Sequence, residues 1–230
     1  MKIKIHFGLT GNQLKILALI AMTIDHIGYQ LYPQSDWMRI VGRLAFPIFA
    51  YMIAEGAKYT KNRKKYLGMM LGLGILFQLV YYFAMHSLYQ SVLITFSLSI
   101  LLIYAVDYAI KKNTVEAWVL PSLLFLLIFF AAHIVPLLLV HKDFAIDYGI
   151  WGILLPVFVF VGRNKWEKLA LCALALIFLS MSYTNQWYAL FALIPLALYN
   201  GKRGALRMKY LFYIYYPLHL VLIYLYSLLP

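Results

Sequence analysis

Charge is what this sequence has least of. Only 12% of its 230 residues are Asp, Glu, Lys or Arg, and only eight are acidic, where a soluble globular domain carries about 25%. That excludes a disordered chain and a solvated coiled coil. Cysteine is nearly absent as well. Cys172 stands alone in a hydrophobic run, so no internal disulfide framework is open to the chain. There is no Gly-x-Ser-x-Gly elbow, no Walker loop and no Cys-x-x-Cys pair. The histidines are scattered one per segment, so no metal-ligand pair stands out and no metal is expected.

Apolar sequence fills the space that charge leaves. Hydrophobic residues make up 64% of the chain and the mean hydropathy is +0.80. The apolar runs are continuous rather than alternating, which favours membrane helices over a closed barrel. A span needs about 20 apolar residues. Nine runs approach this: 14–32, 38–56, 66–86, 92–110, 117–140, 147–162, 168–183, 186–200 and 208–229, with the sixth to eighth short. The expectation is an all-α, polytopic transmembrane helix bundle of about nine spans, forming a single domain over residues 1–230. The first run follows a short basic segment and has no small-residue cleavage pattern, so it reads as an uncleaved span.

The basic residues orient that bundle. Of 20 Lys and Arg, 17 fall at alternate ends of the runs: Lys2, Lys4 and Lys15; Lys58 to Lys65; Lys111 and Lys112; Arg163 to Lys168; Lys202 to Lys209. Basic residues concentrate on the cytoplasmic side, so the N-terminus is expected inside and the C-terminus outside. The net charge of +12 then reflects cytoplasmic loops rather than nucleic-acid binding, for which there is no soluble domain.

Ionisable residues inside a bilayer are expensive and point to function. The first span carries Thr23, Asp25, His26 and Gln30. Thr23, His26 and Gln30 share one helix face. Asp25 lies about 100° away, so Asp25 and His26 are expected to reach toward different neighbours. His26 is a candidate acid or base near neutral pH. The second span carries Arg39, Gly42, Arg43 and Pro47. Arg39 is expected to snorkel to the outer surface, whereas Arg43 needs a partner, with Asp25 the nearest in depth. Pro47 cannot donate to the Arg43 carbonyl, so the helix is expected to bend there. The last span places His219 one turn after Tyr215 and Tyr216 and beside Pro217. Glu55 is expected to pair with Lys58, and Gly68 and Gly72 to form a close-packing face. Two basic clusters, Lys61-Asn62-Arg63-Lys64-Lys65 and Lys202-Arg203 between Gly201 and Gly204, are candidate phosphate sites, the second through backbone N–H groups beside its glycines.

The run Leu14 to Ile16 with Met22-Thr23-Ile24-Asp25-His26-Ile27-Gly28 resembles the opening of the TraX family. So do Arg39-Ile40-Val41-Gly42-Arg43-Leu44-Ala45-Phe46-Pro47 on to Arg63, the segment Tyr199 to Gly204, and Tyr213 to Leu220. That family is named for conjugation, where it N-acetylates pilin, and it resembles the acyltransferase-3 and heparan-glucosaminide acetyltransferase families. The resemblance implies acetyl-CoA as the cosubstrate, His26 as catalytic residue, and Asp25, Arg43 and His219 beside it. Combined with the charge pattern, the expectation is an acetyl-CoA-dependent N- or O-acetyltransferase. Lys61, Arg63, Lys64, Lys65, Lys202 and Arg203 would hold the acetyl-CoA phosphates. His26 would act as general base or as the acetyl carrier, and Arg43 would hold Asp25 or an oxyanion. The acceptor is an amine or hydroxyl at or beyond the outer face, on a pilin-like peptide or a cell-envelope glycan or lipid. A proton-coupled transporter or flippase using Asp25, His26 and Arg43 is the alternative, and a non-catalytic export scaffold the second.

Overall fold

The structure, a computed structural model, describes residues 8–139, 143–205 and 209–227. Lys2, Lys4 and Arg207, used above to orient the chain, lie outside the described residues. The described chain is helical, without strands. In order, the helices are α1 (Gly11–Gln30), α2 (Asp36–Gly42), α3 (Ala45–Tyr59), α4 (Arg63–Met85), α5 (Val92–Lys112), α6 (Val119–Leu138), α7 (Gly149–Val161), α8 (Lys165–Ser182), α9 (Leu193–Ala197) and α10 (Lys209–Ser227). Tighter 3-10 turns precede α6 (Glu116–Trp118) and α9 (Thr184–Ala192).

Four helical stretches are long and apolar enough to cross a membrane: Asp36–Tyr59, Arg63–Met85, Val92–Lys112 and Glu116–Leu138. They coincide with the second to fifth expected spans. The remaining expected spans are shorter or more polar. Helix α7 has 13 residues, about 20 Å at 1.5 Å per residue, against a hydrocarbon core of about 30 Å. The eighth expected span, 186–200, consists mostly of 3-10 turn followed by the five-residue α9. Helix α1 has 20 residues, but Lys15, Thr23, Asp25, His26 and Gln30 dilute its apolar face.

The chain divides into two compact units, one of residues 1–52 and 172–230, the other of residues 53–171. In the second unit α5 is the central helix, packed against α4, α6 and α7. Leu102 and Ile103 of α5 meet Ala57, Ile128, Ile146, Ile150, Ile153 and Val157 in its core. Thr95 and Ser99, polar residues in the first turns of α5, serve this packing: Thr95 Oγ1 donates to the Asp147 carbonyl at 2.7 Å and Ser99 Oγ to the Ile153 carbonyl at 2.8 Å. The outward faces of α4 and α6 are apolar, with Leu76, Val80, Phe83, Leu123, Leu127 and Leu137 among their exposed residues, as a lipid-facing surface requires. Gly68 and Gly72 belong to that open surface. A Cβ at either would touch nothing within 4 Å, so they do not form the expected close-packing face.

The first unit is built on α1. Thr10 and Gln13 form a reciprocal capping box at its start, which satisfies two of the free amides of the first turn. The Gly11 and Asn12 N–H groups donate to the carbonyls of Lys202 and Arg203 at 2.8 and 2.9 Å. Residues 9–12 and 198–203 are thereby joined. Further along, α1 packs on α2 and α10. A Cβ on Gly42 would fall 2.1 Å from Asp25 Oδ1, and one on Gly28 2.6 Å from Met38 Cβ, so glycine on each helix permits the close α1–α2 approach. Leu19, Ala21, Met22 and Ala45 form the local core, covered by Val41, Leu44, Phe49, Tyr215 and Tyr216.

Candidate functional site

The first unit holds every ionisable residue that the opening and closing spans share. The break between α2 and α3 comes where proline chemistry places it. Pro47 is the third residue of α3, where its missing N–H needs no partner within the helix. Helix α2 stops at Gly42, and Arg43 and Leu44 form the turn between them. The Arg43 N–H donates back to the Ile40 carbonyl at 3.2 Å.

That turn brings both arginines to Asp25. Arg43 Nη2 donates to Asp25 Oδ1 at 2.6 Å. Arg39 Nη1 donates to Asp25 Oδ2 at 2.8 Å and to the Asp25 carbonyl at 3.3 Å. Arg39 therefore does not snorkel away as expected. It lies one turn before Arg43 and takes the second carboxylate oxygen. Arg43 Nε in turn donates to the Arg39 carbonyl at 3.1 Å. The side chains of Asp25 and Arg43 are 14% and 12% exposed, that of Arg39 34%, so only Arg39 opens outward.

His26 points elsewhere, as its position next to Asp25 requires. Its Nδ1 lies 2.7 Å from His219 Nε2, with the two rings stacked at 5.0 Å between centroids. His219 is buried, and its Nδ1 lies 2.8 Å from the Tyr215 carbonyl. These partners assign the protons. A carbonyl only accepts, so His219 Nδ1 donates. In a neutral His219 the Nε2 is then an acceptor, and His26 Nδ1 donates to it. The neutral His26 is left with its lone pair on Nε2. The chain from the Tyr215 carbonyl through His219 to His26 fixes both tautomers and leaves one basic nitrogen open.

Thr23 and Tyr215 make a second link between α1 and α10. Thr23 Oγ1 donates to the Leu19 carbonyl at 2.8 Å, so the Tyr215 hydroxyl, 2.7 Å away, donates to it. Tyr215 and Tyr216 rings pack on His219 with centroids 5.2 and 5.9 Å distant. The face shared by Thr23 and His26 thus meets α10, while Asp25 meets α2.

The basic clusters belong to different units. Lys202 and Arg203 expose their side chains in the unit that holds His26. The Lys202 N–H donates to Asn200 Oδ1 at 2.9 Å and the loop carbonyls bind α1, so side chains rather than backbone amides face outward. Gly201 and Gly204, at φ +74 and +96, shape this turn. Lys61, Lys64 and Lys65 are exposed in the other unit, where Arg63 binds Asp107 at 2.5 Å together with Lys111 at 2.8 Å. Glu55 pairs with Lys168, both buried, rather than with Lys58. Lys168 had entered the sequence reading only as a loop charge. Nothing in the sequence marks that pair, because its members lie 113 residues apart. Among the described residues no group of three or more His, Cys, Asp or Glu is placed to hold a metal ion.

A family model described as TraX protein matches residues 10–227. The chain is 28% identical to a probable fimbrial assembly protein FimC, serogroup H1, of Dichelobacter nodosus, over 92% of this chain and 93% of that one. It is 29% identical to the uncharacterized protein RP591 of Rickettsia prowazekii, over 81% of this chain and 68% of that one. Protein TraX of Escherichia coli is 33% identical over 31% of this chain and 29% of its own length. No solved structure matches.

Proposed function

The chain belongs to the TraX family, and from that premise we propose that it is a multi-pass acetyltransferase of the bacterial cytoplasmic membrane. It moves an acetyl group from cytoplasmic acetyl-CoA to an amine or hydroxyl at or beyond the outer face. The observation that carries this reading is the arrangement along α1. The exposed Lys202 and Arg203 dock on its first residues. The open nitrogen of His26 lies 15 residues further on, about 22 Å at 1.5 Å per residue. An extended phosphopantetheine arm covers that distance, with its phosphates on the basic side chains and its thioester at the imidazole.

His26 Nε2 accepts the proton of the acceptor as its nitrogen or oxygen bonds to the acetyl carbon. The bond from that carbon to sulfur breaks, and His26 returns the proton to the leaving thiolate as free CoA forms. His219 holds the imidazole in the tautomer this needs and accepts the Nδ1–H of the transient imidazolium, a charge-assisted bond. Asp25, paired with Arg43 and Arg39, faces α2 rather than the imidazole. The same nitrogen would form an acetyl-histidine if transfer runs in two steps. Labelled acetyl trapped on the protein in a single-turnover quench identifies that route, and its absence assigns direct transfer. The relative named for fimbrial assembly supports an acceptor in the cell envelope, such as a pilin-like peptide N-terminus, a glycan or a lipid.

The test is acetyl-CoA turnover by the purified protein, with a mixed pool of amine and hydroxyl acceptors, beside His26→Ala. A loss of about 10²–10⁴-fold is expected, the range of general acid–base catalysis. Equal turnover in the variant would overturn the assignment. Absence of both turnover and acetyl-CoA binding would transfer Asp25, His26 and Arg43 to a proton-coupled transport site.

A further inference from the structure

We propose that Arg39 is the seat for an anionic group, a carboxylate or a phosphate, carried by the acceptor, a proposal that rests on the acetyltransferase reading. Arg43 alone suffices to hold Asp25, with a bond of 2.6 Å and little exposure. Arg39 adds a second guanidinium to the same single carboxylate, in a segment where charge is costly. It uses only Nη1 for Asp25. Its Nε and Nη2 make no hydrogen bond among the described residues, and a third of the side chain is exposed. The unused N–H edge is a planar fork, the shape that binds carboxylate and phosphate oxygens in pairs.

The fork is held in place. The Arg39 guanidinium lies over the Tyr29 ring, 5.1 Å from its centroid, and Tyr29 is one turn beyond Asp25 on α1. Asp25 and His26 are consecutive on α1, so a group bound at Arg39 lies within the same turn as the imidazole, on the adjoining face of the helix. The acetyl thioester is neutral. The phosphates of acetyl-CoA sit at the other end of α1 in this reading. The anion that completes Arg39 is therefore the acceptor's own, and it fixes the distance from anion to nucleophile.

Two matched pairs of amines test this in a maltoside detergent free of phospholipid. Triglycine and triglycinamide differ by a carboxylate, glucosamine 6-phosphate and glucosamine by a phosphate. Binding is read by ligand-dependent thermal shift without acetyl-CoA, and transfer by CoA release with it. The wild type is expected to bind the anionic member of at least one pair tenfold or more tightly, and the pair that responds identifies the anion. Arg39→Gln is expected to bring that ratio close to one. Tyr29→Leu, at a site 67% exposed, is expected to lower it without threatening the fold. Equal binding across both pairs in the wild type, or a ratio unchanged in both variants, would overturn the proposal. An anion preference without any acetyl transfer would leave the seat standing and sink the transferase reading. Transfer at equal rates to both members of each pair would do the reverse.

Discussion

A histidine that is to act as a base needs one nitrogen held and the other open, and the partners of His26 supply both. His219→Ala removes the acceptor for His26 Nδ1 and frees the imidazole to turn. Transfer is expected to fall in kcat by about tenfold or more, within the scale of general acid–base effects, with KM for acetyl-CoA little changed. A purely structural role would instead lower the amount of folded protein at constant kcat. The sign of the pH dependence follows from the open nitrogen. A proton on His26 Nε2 blocks it, so any loss of kcat/KM through this nitrogen is expected on the acid side, and a loss confined to the alkaline side would contradict a base there. Thr23→Val deletes the acceptor of the Tyr215 hydroxyl and should cost about 0.5–1.5 kcal/mol in thermal unfolding, with the histidine pair intact. The divergence of Asp25 and His26 was legible in the sequence, because consecutive helix residues point about 100° apart. The partner of His26 was not. Its bond to His219 spans 193 residues, and helical periodicity tells which face a residue occupies, not which helix meets that face.

Helices α1 and α2 owe their approach to a glycine in each. Gly42→Ala would place a methyl group where Asp25 already lies. It should cost about 1–3 kcal/mol, the usual penalty for overpacking, and impair transfer with it. Gly68→Ala meets nothing and should leave unfolding unchanged or raise it by up to about 1 kcal/mol through helix propensity. Thermal unfolding of both variants in detergent separates the two kinds of glycine. The sequence shows Gly42 and Gly68 as equivalent small residues in apolar runs, and only the neighbouring helix distinguishes them. The break before Pro47 was legible, since a missing N–H is a property of the residue itself. The role of Arg39 was misjudged because a continuous second span places it at the membrane edge. The turn at Arg43 and Leu44 changes that, allowing both guanidiniums to meet one carboxylate.

For the whole molecule, hydropathy reads long apolar helices whether they face outward or inward, and two of the four stretches are mostly buried. The four stretches that satisfy it include α4 and α6, whose apolar surfaces are outward. Helix α1 falls short because Lys15, Thr23, Asp25, His26 and Gln30 interrupt its apolar run, so the helix that carries the candidate site is less conspicuous. In the second unit, α4 and α5 run in opposite directions through a short connection. Cysteines introduced at Lys61 and Lys112 in a Cys172→Ser background should therefore label from one side of the membrane. Cysteines at His86 and Asp143 should label from the other, the basic pair being cytoplasmic. Mixed labelling within either pair would break the topology. The buried Glu55–Lys168 pair offers a second check. Lys168→Met takes the ammonium away from a buried carboxylate and should cost about 3–5 kcal/mol, while Glu55→Leu with Lys168→Met should recover most of it.

The docking of residues 198–203 on the start of α1 has a consequence for biogenesis. The amides of Gly11 and Asn12 leave the ribosome early, yet the carbonyls that satisfy them belong to Lys202 and Arg203. His26 likewise waits for His219. Contacts of such sequence separation form late and slowly. A nascent chain inserted up to α8 has neither the carbonyls that dock on the start of α1 nor the paired imidazoles. Both contacts thus wait for residues that follow α8, and on the proposed reading a product truncated after α8 is expected to show no acetyl-CoA turnover.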